Sequence, residues 1–100
     1  MSRKPNTNRN GGSWTESEKT AVWKKGRVIP KFSSETWRWD VCGQVMKWSE
    51  HGNRDSKNGW EIDHIVPVSV GGSDQLSNLQ PLNWKNNADK GDKLNWTCPK

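Results

Sequence analysis

Large apolar side chains fall in short clusters along this chain, and the spacing within the clusters changes from one stretch to the next. Residues 1–12 carry none after Met1, so they read as a flexible basic arm with Arg3, Lys4 and Arg9. Ser13-Trp-Thr-Glu16 has the form of a capping box, and Ala21-Val-Trp23 continues it. That pattern predicts a helix stopped by Gly26, with Lys24 and Lys25 suited to its negative pole. From Arg27 to Ser56 the clusters are shorter and more β-like: Val28-Ile29, the alternating Trp37-Arg38-Trp39, then Val41 to Trp48. Glu50 to Asn58 is polar and reads as a loop.

Trp60 to Val70 is the most continuous apolar stretch and predicts a strand pair or hairpin arm, with Pro67 at a bend. A polar loop follows Gly71-Gly72 and runs to Asn78. Leu79-Gln-Pro81 then leads into a short helix over residues 82–90 that Gly91 ends. The elements describe a single small α+β domain over residues 13–100, without internal repeats.

Composition changes that picture in one respect. Only 29% of the 100 residues are hydrophobic, a thin supply for a core, but eight are tryptophan. A buried indole removes about 150–250 Å² from water, so the expected core is Trp-rich. Trp39, Trp60 and Trp84 are candidates for it. The formal charge of +5 favours a polyanionic partner, nucleic acid first.

The two cysteines, Cys42 and Cys98, form no Cys-x-x-Cys pair and argue against a structural zinc site. A disulfide between them is one reading. However, no apolar signal stretch follows Met1, and no run of about 18 apolar residues suggests a membrane span. The expectation is therefore a cytoplasmic protein with reduced thiols and no membrane contact.

Chemistry concentrates in one place. Asp63 and His64 are adjacent, and Asn78 and Asn87 follow at set intervals. A carboxylate is a good ligand for a hard cation, and a neutral imidazole is a base near pH 7. Singly, each residue has an ordinary structural explanation in a turn, cap or helix surface. Together, Asp63-His-Ile-x-Pro, Gly71-Gly72, Asn78-Leu-Gln-Pro-Leu82 and Asn87-x-x-Lys90 resemble the HNH motif of the ββα-metal nucleases, in the variant whose third signature residue is Asn. The likeness covers residues 59–92, and the chain is similar to small stand-alone bacterial and phage members.

The resemblance implies a β-hairpin followed by a short helix, and a divalent-metal-dependent DNA endonuclease. Asp63 and Asn87 would hold one cation, Mg2+ or else Mn2+, and His64 would be the general base. Asn78 would hold the hairpin loop and orient His64. The products would be 5′-phosphate and 3′-hydroxyl ends. Lys90 and Arg54 are the candidates for nucleic-acid contact, and Glu61, on the same strand face as Asp63, is a candidate auxiliary ligand. His51 reads as a surface residue. Asn83 and Asn86 stand where many members carry zinc-binding cysteines, so no structural zinc is expected.

Two alternatives stay open: a nucleic-acid-binding module without catalysis, and a toxic nuclease effector. A protein partner could supply sequence specificity. Nothing in the pattern chooses between monomer and dimer.

Overall fold

The computed structural model describes residues 3–100. Helix α1 spans Glu16–Trp23. Three short strands follow: β1, Arg27–Val28; β2, Trp37–Trp39; and β3, Val45–Lys47. They pair antiparallel in that order. Strand β4, Trp60–His64, pairs antiparallel with β5, Leu79–Asn83, in a second, two-stranded sheet. Helix α2, Trp84–Lys90, closes the fold. This is the expected α+β class, with a hairpin leading directly into a short helix.

Three boundaries differ from the pattern reading, each for a local reason. The capping box is Thr15-x-x-Glu18 rather than Ser13-x-x-Glu16: the Thr15 hydroxyl accepts from the Glu18 amide, and Glu18 accepts in return from the Thr15 amide. Leu82 and Asn83 belong to β5, and α2 starts at Trp84 with Asn83 as its N-cap. Pro81 lies inside β5 opposite Ile62, which a two-stranded sheet tolerates because its missing N–H can face away from the partner. The extended arm also stops at His64, and residues 68–70 form a single 3-10 turn.

The core is built on indoles. Trp60 is fully buried and packs against Trp23 and Trp48, with ring centroids 5.0 and 5.8 Å away. Val22, Met46, Ile62 and Leu79 fill the spaces around them. Two of these indole N–H groups find carbonyls: Trp60 donates to Trp48 and Trp23 to Ser34. Trp39 and Trp84, expected in the core, are only half-buried. Trp23 takes that place, with the partly buried Trp48 packed against it.

Asp40, at the end of β2, is buried and accepts four hydrogen bonds. Two come from the Cys42 and Gln44 amides, within its own turn. The other two come from the Asn83 amide and the Asn86 side chain, at the β5–α2 junction. Asn83 adds bonds from its side-chain nitrogen to the Val45 and Lys57 carbonyls. One carboxylate thus clips the first sheet to the second.

The expectation of reduced thiols is overturned, because Cys42 and Cys98 form a disulfide. It ties the turn beside Asp40 to the irregular C-terminal segment, which is also fastened by the Trp96 indole donating to Asp89. No helix among the described residues is long and apolar enough to cross a membrane.

The segment expected as a flexible arm is folded onto the body. The Asn6 side-chain oxygen accepts from the Ile62 amide at 2.8 Å and meets His51 Nε2 at 3.2 Å. A polar segment can dock in this way because the open edge of β4 offers unpaired backbone groups, and a carboxamide satisfies one of them. His51, expected at the surface, is consequently half-buried against the Trp60 ring. Burial, and then the charge of Lys19, lower its pKa from 6.5 to about 4.

Two measurements test this frame. Asp40→Ala leaves several donors without an acceptor and should cost about 3–5 kcal/mol in urea unfolding. His51 protonates more readily unfolded than folded, so its contribution to stability is complete above pH 6.5 and is lost as pH falls toward about 4. The decline over that window should be shallower in His51→Gln, read from melting temperatures at a series of pH values.

Candidate active site

Strand β4 is buried along its whole length, so its side chains must find partners on both faces. Trp60 and Ile62 enter the core, while Glu61 and Asp63, on the opposite face, meet α2. Asn87 and Lys90 are three residues apart on that helix and share the face that packs on β4. The strand–helix contact thereby brings Asp63, His64 and Asn87 to the wall of one cleft of about 310 Å³.

Each side chain is held by named partners. Glu61 accepts from Asn87 Nδ2 at 2.8 Å. That bond fixes the carboxamide with its nitrogen toward the carboxylate and leaves the Asn87 oxygen as the atom available for a ligand. Asp63 takes a bond from Gln80 on one oxygen, and Lys90 Nζ lies 3.3 Å from the other. Burial raises the Asp63 pKa, partly offset by Gln80, Lys90 and His64.

His64 Nε2 lies 2.7 Å from Asp74 Oδ1. A carboxylate acceptor there selects the Nε2–H tautomer and leaves Nδ1 as the basic nitrogen. Trp14 packs beside the imidazole, with ring centroids 5.6 Å apart.

Asn78 bonds across the loop after β4. Its oxygen accepts from the Val66 amide, and its nitrogen donates to the Val66 and Ser73 carbonyls. Gly72 lets this loop close: a Cβ there would lie 1.7 Å from the Val66 oxygen. The same loop carries Asp74, whose carboxylate lies against His64.

The two residues expected at nucleic acid are engaged elsewhere. Lys90 is only 2% exposed, and its ammonium donates to the His64 carbonyl beside Asp63. Helical spacing places it near Asn87 but does not show that this face points inward. Arg54 makes two bonds to Glu61, at 2.7 and 2.8 Å, which raise its pKa. Glu61 is therefore spent on Arg54 and Asn87 rather than standing free as an auxiliary ligand.

Asp74 is the residue that pattern reading missed. Its signal is the Gly71-Gly72-Ser73-Asp74 turn before Asn78, which looks like an ordinary polar loop.

A divalent cation fits this donor set. No group of three His, Cys, Asp or Glu residues converges among the described residues. Two hard oxygens, from Asp63 and Asn87, nevertheless line the cleft, and Mg2+ commonly takes few protein ligands and keeps several waters. The Gln80 and Lys90 contacts leave lone pairs on the Asp63 carboxylate for such an ion.

A hairpin whose first strand ends in Asp63-His64, followed by a helix that carries Asn87, has the layout of the ββα-metal nucleases. The family model "HNH endonuclease" matches residues 40–93, just over half of the chain, and the chain belongs to that family of nuclease enzymes. Among curated proteins, it is similar to "Probable mobile endonuclease C" of Enterobacteria phage T4, at 40% identity over 47 residues. That stretch takes in 45% of this chain and 22% of the phage protein, so the chain spans about a fifth of that relative's length. No solved structure matches.

Lys90→Met would remove the cation facing Asp63. A buried carboxyl with a raised pKa costs stability as pH rises through that pKa, and the cost grows when its cation is gone. The variant should lose about 2–4 kcal/mol at pH 7, and the loss should shrink as pH falls and the raised Asp63 carboxyl takes up its proton, in paired urea titrations.

Proposed function

We propose that this chain hydrolyses DNA phosphodiester bonds with one divalent cation, Mg2+ or Mn2+. His64 Nδ1 takes the proton of the attacking water. Asp74 keeps the imidazole in the tautomer that exposes Nδ1 and stabilises the imidazolium formed when the proton arrives. Trp14 limits the tilt of the ring. Asn78 acts at one remove, by holding the loop that carries Asp74.

Asp63 and Asn87 would hold the cation, which when bound neutralises charge developing on the phosphate and on the 3′ oxygen. Glu61 keeps the Asn87 oxygen turned toward the cleft, and Arg54 keeps Glu61 in place. Lys90 offsets part of the Asp63 charge from behind and fastens the His64 backbone. Cleavage at the 3′ oxygen leaves 5′-phosphate and 3′-hydroxyl ends. Most contacts of so small a domain would fall on phosphates, which position a strand without reading its sequence.

The observation that carries this reading is the meeting of a carboxylate-held imidazole with the Asp63 and Asn87 oxygens in one cleft. Supercoiled plasmid at pH 8 tests it. The wild type with Mg2+ should nick or linearise the plasmid, and EDTA should stop it. His64→Ala should lose about 10²–10⁴-fold in rate. Asp74→Asn, which removes the charge but not the shape, should lose about 10–100-fold. A wild type that is inert with every divalent metal yet still shifts DNA on a gel would make the chain a binding module instead.

A further inference from the structure

The cleft beside Asp63 and His64 has a second wall that comes from the other end of the chain. Arg3, Lys4 and Asn6 line it, in the same cleft as Asp63, His64 and Asn87. This wall is a built strap. Asn6 fastens it to the β4 edge through the Ile62 amide and meets His51. The Arg9 amide fastens it again, 3.0 and 3.1 Å from the two oxygens of Asp74. Around the second anchor Asn8 closes a tight loop by accepting from the Asn10 and Gly12 amides.

The charge balance of the cleft gives the strap a task. Asp63 and Asp92 line the cleft, and carboxylates repel a phosphodiester. The cations nearest them on the body are already committed, Lys90 behind Asp63 and Arg54 to Glu61.

Arg3 and Lys4 differ, because neither pairs with a carboxylate among the described residues. Among the described residues the Arg3 guanidinium donates only to neutral oxygens of its own strap: the carbonyls of Thr7, Asn8 and Arg9, and the Thr7 hydroxyl. Those bonds hold the group in place without cancelling its charge, and its Nε–H has no acceptor among the described residues. Lys4 is exposed, and its ammonium makes no hydrogen bond there.

We infer that Arg3 and Lys4 are phosphate-binding residues of the cleft, seating the backbone of a nucleic-acid strand against the Asp63–His64–Asn87 wall. The inference rests on the nuclease reading for its substrate. The strap is pre-ordered by Asn6 and Arg9, so little conformational freedom disappears when the phosphates arrive. One of its anchors, Asp74, also holds His64, so the same short segment touches the phosphate side and the base side of the site.

Salt-dependent binding of a DNA duplex, measured by fluorescence anisotropy in EDTA so that no strand is cut, tests the inference. Removing one cation that neutralises a phosphate lowers the slope of log affinity against log salt by about 0.9. Arg3→Gln with Lys4→Gln should lower it by roughly two and weaken binding about tenfold or more at 0.1 M salt. Lys4→Gln alone removes no hydrogen bond of the fold. It should lower the slope by about one with an unchanged melting temperature, which keeps the test sound if the double variant loosens the strap. An unchanged slope in Lys4→Gln and in the double variant overturns the inference. Wild-type plasmid cleavage with Mg2+, run alongside, separates the two failures: cleavage with unchanged slopes sinks the strap alone, whereas lowered slopes without cleavage sink the nuclease chemistry and leave the strap as a phosphate site.

Discussion

A buried carboxylate at Asp40 joins the two halves of this domain. It accepts from two amides of its own turn and from two nitrogens at the start of α2, so β2–β3 and β5–α2 are held to one point. A carboxylate left without donors in that place would be expensive, and donors left without it nearly as much, which makes the arrangement close to all-or-none. Asn86 gives Asp40 a side-chain bond, and the Asn83 side chain adds bonds to the Val45 and Lys57 carbonyls, at the positions where many members of the family carry cysteines. The Cys42–Cys98 disulfide closes the same corner from outside. With α2 fixed at its first turn, its next turn has to place Asn87 and Lys90 against β4.

The site repeats the same physics with the opposite aim. Glu61, Asp63, His64, Asn87 and Lys90 are all buried, in a domain with few apolar residues to spare. Each charge has a partner that also orients it: Arg54 holds Glu61, Glu61 turns Asn87, Lys90 faces Asp63, and Asp74 holds His64. Pairing limits the cost of burial. It also leaves the Asn87 oxygen and His64 Nδ1 without a hydrogen-bond partner among the described residues. An indole core supports this because Trp23, Trp48 and Trp60 fill much of the interior with few residues.

Much of the fold was legible in the order of apolar clusters and breaks. The helix before Gly26, the short strands from Arg27 to Lys47, the apolar strand at Trp60 and the helix ended by Gly91 each follow from neighbours a few residues apart. The errors have local causes as well. Two overlapping capping patterns begin at Ser13 and Thr15, and spacing alone does not choose between them. Leu82 and Asn83 could extend a helix backward, but cross-strand partners Glu61 and Trp60 claimed them for β5.

The sequence by itself marked Asp63, His64, Asn78 and Asn87 as one pattern, through their intervals and flanking residues. It determined the helix stops, the turn glycines and the basic charge, which are properties of single residues or near neighbours. Only the tertiary structure decided how each charged group is used. Lys90 and Arg54 look like free cations until the fold sets Asp63 and Glu61 beside them. Asp74 looks like a loop residue until the loop closes on His64, and residues 3–12 look unanchored until the β4 edge offers an amide to Asn6. The reason is common to all of them: a charge or hydrogen-bonding group is defined by what lies within about 3 Å, and in these cases that partner is a matter of chain topology rather than local sequence.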